Sequence, residues 1–300
     1  MEFNDASCSS FSIKILEMAK SGIMALNYDI RREQHAIGEF SARMQFANGV
    51  GAQTFAKVTL LLKVAADKLD LPAPLNLQTF SIAVGNPLTP PPAAMSGSGY
   101  QRFSSNGEIA CSLVCDFSSI TLTLREYDRW HNVLPQIVET FSTIGAAYLA
   151  EVPAISVFSV QYVNEFRAKN SEFTNTAELF QKDSKWISPF SFASEQPWHC
   201  HVGQFIPTDG PYRFLLNLNC DISPNIMPGE RIARNYARIL IMAGCYYDLP
   251  QIGPLIVSEE NLQSSIEKNF NDAHSLEKRI LGEIISNEYL ALMGDGAHEH

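Results

Sequence analysis

Residues 102–164 read RFSSNGEIACSLVCDFSSITLTLREYDRWHNVLPQIVETFSTIGAAYLAEVPAISVFSVQYVN, and the spacing of apolar side chains in this stretch decides the fold. Asn106-Gly107 separates two runs of strand character, and Asn-Gly predicts a type I′ hairpin turn, whose two central residues both need φ > 0. Along 108–116, Ile109, Cys111, Leu113 and Cys115 alternate with Ala110, Ser112, Val114 and Asp116. Ile120, Leu122 and Leu124 then alternate with Thr121, Thr123 and Arg125. A period of two over paired runs predicts antiparallel strands with one buried face. After Asp128, an expected N-cap, the spacing changes to three and four: Trp130, Val133, Leu134, Ile137, Phe141, Ile144, Tyr148. That is an amphipathic helix for the buried face, with Pro135 either kinking it or delaying its regular part to about Leu134. Residues 155–166, rich in β-branched and aromatic side chains, predict a strand ending in Tyr162-Val163-Asn164.

Upstream, Phe40, Ala42, Met44 and Phe46 alternate with Glu39, Ser41, Arg43 and Gln45, a first strand. Asn48-Gly49-Val50-Gly51 then leads into a helix with core face Phe55, Val58, Leu62, Ala65 and Leu69, stopped by Pro72 and Pro74. Only two glycines stand there, without the Lys-Ser/Thr of a phosphate loop, so an ordinary βα turn is expected. A strand over 77–84 follows. Residues 86–99, Pro-rich and then Ser96-Gly97-Ser98-Gly99, predict a surface loop.

Downstream, 167–197 is polar with scattered aromatics and no clean period. Strands are expected over 198–206 and 212–222, joined by a turn at 207–211, and over 232–242, where strand and helix patterns compete. A last amphipathic helix runs from about Glu259 to Ile285 on Leu262, Ile266, Phe270, Ala273, Leu276, Ile280 and Ile284, with Ser286 capping a final turn. The order predicts an α+β fold: antiparallel sheets covered by long amphipathic helices, in two related sheet-plus-helix halves of helix-grip or saddle-like form. Residues 1–35 read as a helical appendage, with Phe11, Ile15, Met18, Gly22 and Ile23 on one side. Residues 36–294 read as one domain with sub-halves 36–166 and 198–294.

With 300 residues and 46% hydrophobic content the chain can bury a sizeable core. No apolar run reaches the ~18 residues of a membrane span, and the N-terminus lacks the basic-then-apolar order of a secretory signal, so a cytoplasmic protein is expected. The six cysteines show no CxxC pairing, and Cys111 and Cys115 would lie about 13 Å apart on one strand, too far for a disulfide. A formal charge of −10 argues against nucleic acid as partner, leaving only a local strip at Arg231, Arg234 and Arg238.

Motifs for nucleophilic or metalloprotease chemistry are missing from the sequence. His199 and His201, two apart on a strand, face the same way and could share a metal, with Asp209, Asp221, His131 or His274 as the third ligand. His274, with Asp272 and Glu277 nearby, is an imaginable acid/base group against the plainer reading of a half-buried helix residue. Asn164 ends a strand where it could face a cleft. Together with the large aromatics Trp130, Trp186 and Trp198 it makes up the candidate binding set; catalytic residues and cofactors are expected to be none.

In order along the chain, Arg102-Phe103-Ser104-Ser105, the strand pair, Tyr127-x-x-Trp130, Tyr162-Val163-Asn164 and Ala273-His274 followed by Ile280, Ile284 and Ser286 resemble a family of sporadically distributed bacterial proteins of unknown function. Its members have an aromatic-Phe-x-Ser lead into a hairpin, Tyr then Trp at a helix start, an Arg-Tyr-x-Asn-like strand and a Leu-His pair in the closing helix. Here Gln161 stands for that Arg and Ala273 for that Leu. The resemblance spans about 36–294. It implies a horizontally exchanged cytoplasmic protein, carried beside phage-defence or mobile-element genes, and it supplies no catalytic residues.

The expected function is therefore a non-enzymatic binding module for a protein partner or small ligand, possible as a homo-oligomer. Residues 86–99, 173–198 and the N-terminal segment are its expected contact surfaces. The alternative is a metal-assisted hydrolase using His199 and His201.

Overall fold

The computed structural model describes residues 26–30, 35–79, 94–169, 176–194, 196–226, 231–247 and 253–293. Of the expected helical appendage over 1–35, residues 1–25 and 31–34 lie outside the described residues, as do residues 80–84 of the strand expected over 77–84 and the proline-rich part of the 86–99 loop, up to residue 93; residues 28–30 of the appendage are strand, not helix.

The strands are β1 (Tyr28–Ile30), β2 (Ile37–Phe46), β3 (Ala73–Thr79), β4 (Ala94–Phe103), β5 (Ile109–Asp116), β6 (Ser119–Leu124), β7 (Ala154–Ala168), β8 (Trp198–Pro207), β9 (Arg213–Asn225), β10 (Arg234–Tyr246) and β11 (Leu255–Ile256). They form one sheet in the order β3-β4-β5-β6-β2-β7-β10-β9-β8, with β1 and β11 pairing to β7. Every pairing is antiparallel. The α+β class is therefore as expected, and the expected plural sheets are one. The reason lies in β7, which pairs along one edge with β2 over residues 155–164 and along the other with β10 over residues 157–167, so it fuses the two groups of strands. β2 leads through helix α1 (Ala52–Lys68) to the far edge, and β3 to β6 return to it. β7 leads through 176–197 to the opposite edge, and β8 to β10 return to it.

Helices α1, α2 (Trp130–Leu149) and α4 (Glu259–Gly282) cover one face, with the short α3 (Pro189–Ala193) and α5 (Asn287–Leu292) beside them. Alternation supplies the core from the sheet side: Phe40, Ala42, Met44, Phe46, Ile120, Leu122, Phe158, Val160, Ile239 and Ile241 are fully buried. The three-and-four spacing supplies it from the helices, where Phe141 and Phe270 meet edge-to-face at 5.5 Å and Phe270 meets Phe158 at 5.7 Å. Gly145 lets α2 approach this core, since a Cβ there would stand 3.1 Å from Met44 Cε and 3.3 Å from Leu262 Cδ2.

Several local expectations are corrected. Only Gly107 has positive φ (+84°) in the 104–108 loop, and Asn106 does not, so the turn is not type I′. Instead Ser104 N bonds Glu108 O, and Asn106 Oδ1 accepts from Glu108 N at 3.1 Å, a wider loop with a single left-handed glycine. Ser96-Gly97-Ser98-Gly99 is not loop but the middle of β4. A Cβ on Gly97 or Gly99 would come within 2.7 Å of Cys115 O or 2.8 Å of Leu113 O, so glycine is what lets β4 lie this close on β5. Asp128 does not cap α2; Arg129 holds that position without a side-chain bond, and the Asp128 carboxylate accepts from Asn132 Nδ2 at 2.6 Å. The helix starts at Trp130 and continues through an exposed Pro135. Residues 234–246 resolve as strand, and β1 was not anticipated.

Candidate functional site

Tyr162 lies on the core face of β7 beside Phe40, ring centres 4.9 Å apart. Its hydroxyl reaches Nδ1 of His274 on α4 at 2.9 Å and is also hydrogen-bonded to Tyr127, in the loop before α2. The His274 ring stacks on Trp130 (4.3 Å, 21°), and the Trp130 indole donates to Asn271 Oδ1 at 2.8 Å. Three residues beyond His274, on the same helix face, Glu277 is buried; two beyond Tyr162, on the same strand face, so is Asn164. Glu277 Oε1 and Asn164 Nδ2 find no hydrogen-bond partner among the described residues. The tertiary fold thus gathers Trp130, Asn164 and His274 with Tyr127, Tyr162 and Glu277. The signal was in the sequence as the 274/277 spacing and the 162/164 alternation, but nothing there says which helix crosses which strand.

Burial makes this cluster electrically neutral. It pushes the Glu277 carboxyl up to about 8 and the His274 imidazole down to about 3, with Lys278 acting downward on both. Burial also raises Tyr162 well above its ordinary value. At neutral pH the carboxyl keeps its proton and the imidazole has none to spare. A base this weak abstracts protons poorly, and the imidazolium that would serve as general acid is not populated at neutral pH. Asp272 faces elsewhere, accepting from Tyr212 Oη at 2.7 Å and Lys268 Nζ at 2.6 Å. His274 fastens α4 to β7 and to the start of α2.

Trp186 and Trp198 form a separate group. The Trp186 indole donates to Glu283 Oε2 at 2.6 Å, its carbonyl faces Cys200 Sγ at 3.7 Å, and Trp198 sits 5.7 Å from the Phe180 ring. Both pack on the helix side of the sheet. His199 and His201 point the other way, to the open face, and are exposed. His199 Nδ1 bonds the Asp221 carboxylate, while Asn219 stands opposite His201. His131 is exposed on α2 and His274 lies under the sheet, so neither joins them. Among the described residues no group of three His, Cys, Asp or Glu side chains could hold a metal. At the start of α1 the position open to an anion is filled from within, Gly51 N donating to Glu151 Oε1 at 2.9 Å.

The face of the sheet away from the helices is the other feature of note. Among the described residues no helix packs on it. Across its middle run Ser112, Thr123, Ser41, Gln161, Met242, Asn217 and Gly203, each opposite the next. One row to one side, Arg43 is exposed opposite Ser159; one row to the other come Val163, Leu240, Asn219 and His201, and beyond them Glu165, Arg238, Asp221 and His199 form a charged ladder. Arg125 pairs with Glu39 at 3.0 Å, and the Arg213 guanidinium lies 3.8 Å over the exposed Phe205 ring. Of the basic strip anticipated at 231–238, Arg234 Nη1 donates to Lys169 O at 2.8 Å and Arg238 stands in the ladder. No described strand contains a lysine, so every strand cation is an arginine.

Among the described residues no helix is long and apolar enough to cross a membrane. A scan against protein-family models finds no match to this chain, and a search of curated proteins finds none either.

Proposed function

We propose that the chain is a non-enzymatic binding module, a cytoplasmic scaffold whose recognition surface is the open face of its sheet and whose partner is another protein. The observation that carries this reading is the contrast between the two faces. One is sealed by helices over a core whose ionisable groups are held neutral. The other offers polar side chains and arginines interleaved with Val114, Val163, Leu240 and Met242, and arginine suits bidentate and stacked contacts better than lysine does. The relation of the two groups of strands as diverged copies, the second without its first helix, belongs to the same proposal. So does membership in a bacterial defence or mobile-element system.

Gln161 and Ser159 sit at the middle of the face, and replacing both by Arg fills it with bulk and charge away from the core. Capture at native expression should recover one stoichiometric protein with the wild type and not with this double variant. Recovery by both, or by neither, refutes the assignment of the face. A metal-assisted hydrolase remains a second reading only through His199, Asp221 and His201 sharing one face. Stoichiometric zinc or manganese in the purified protein, lost in His199→Ala/His201→Ala, would establish it, and metal-free protein would remove it.

A further inference from the structure

Strand β8 is the end of the sheet, and nothing among the described residues pairs with its outer edge. A free edge offers a row of backbone donors and acceptors to any other strand, and folded proteins guard such edges with charge, proline, bulges or shortness. The opposite edge is guarded in this way. β3 carries Pro74 inside it and has a register break against β4. Edge β8 has none of these devices. It runs ten residues, Trp198-His199-Cys200-His201-Val202-Gly203-Gln204-Phe205-Ile206-Pro207, without Lys, Arg, Asp or Glu. It keeps register with β9 over its whole length, and its only proline is the last residue. On the helix side Trp198, Cys200, Val202 and Ile206 pack against the core but stay only partly buried.

We propose that this edge is a homodimer interface, in which β8 pairs antiparallel with β8 of a second copy about a two-fold axis through Val202. An antiparallel strand pair about a two-fold axis is self-complementary by construction. Here the side chains agree with it. On the helix side Trp198 meets Ile206 of the other copy, Cys200 meets Gln204 and Val202 meets Val202, so the half-covered apolar row gains apolar neighbours at its ends and centre. On the open side His199 meets Phe205 and His201 meets Gly203, with no bulky pair opposed. Charge favours this edge as well. Two chains of net charge −10 repel, and β8 brings no formal charge into the contact. The interface leaves the open face free, so it stands or falls separately from the function proposed above.

Sedimentation of the purified full chain tests it. The wild type is expected to be a dimer, and Val202→Lys, which puts an ammonium at the axis opposite its own copy, a monomer with an unchanged far-ultraviolet spectrum. Oxidation of Val202→Cys, with Cys8 and Cys200 replaced by serine, should give a disulfide-linked dimer. Asn76→Cys on the guarded β3 edge, in the same background, should not. The proposal is overturned by a monomeric wild type, by a dimer that survives Val202→Lys, or by equal crosslinking at both edges. If Val202→Lys does not fold, the two cysteine variants decide.

Discussion

Replacing Glu277 by Gln should make the protein more stable at neutral pH, by an amount that grows with pH. The carboxyl is fully buried and its affinity for a proton is raised from 4.5 to about 8. In the unfolded chain it ionises near 4.5; in the folded chain it does not until about 8. Between those values unfolding releases a proton, so stability present below pH 4.5 is lost as pH rises, by ~1.4 kcal/mol per pH unit. At pH 7 the loss is roughly 3 kcal/mol, and it levels off above about 8 near 5 kcal/mol. His274 acts in the opposite sense. Held down at about 3 from 6.5, it contributes stability that is present above 6.5 and falls away as the pH drops. The two slopes cancel between about 4.5 and 6.5, which leaves the Glu277 slope visible from 6.5 to 8. Urea unfolding of wild type and Glu277→Gln at pH 6, 7 and 8 isolates it, because other groups drop out of the difference. The gap should shift by roughly 3 kcal/mol toward the variant from pH 6 to pH 8. A gap that does not move with pH would refute the reasoning, since it would mean that this carboxyl ionises alike in both states.

Four further outcomes are expected. His274 should remain neutral, its ring resonances flat from pH 5 to 7, and a midpoint near 6.5 in a nuclear magnetic resonance titration contradicts the buried cluster. Tyr162→Phe removes the hydroxyl bonded to that ring and should cost about 1 kcal/mol in denaturant unfolding, with the fold retained. Phe270→Ala, at the junction of α2, α4 and β7, should cost about 3–5 kcal/mol; a loss below 1 would mean that the helices do not meet there. Gly99→Ala should destabilise by about 1–3 kcal/mol, because its methyl would press on Leu113 O, whereas an unchanged melting temperature would deny that close approach.

Element types are legible in the sequence wherever one face is wet and the other dry. β2, β5, β6 and β9 follow from strict alternation, and α1, α2 and α4 from apolar residues three and four apart, because those periods are properties of the backbone alone. It misled where the deciding contact is far along the chain. Ser96-Gly97-Ser98-Gly99 has the composition of a loop, yet it is β4, since the carbonyls of β5 leave room there only for glycine. It was also silent on the meeting of His274, Glu277, Tyr162 and Asn164. Periodicity says which face of an element is buried, not what it is buried against. That one sheet rather than several forms, because both edges of β7 are paired, and that burial discharges Glu277 and His274, emerges only in the folded molecule. Desolvation depends on neighbours from β7, α2 and α4 at once, and no local stretch of sequence encodes it.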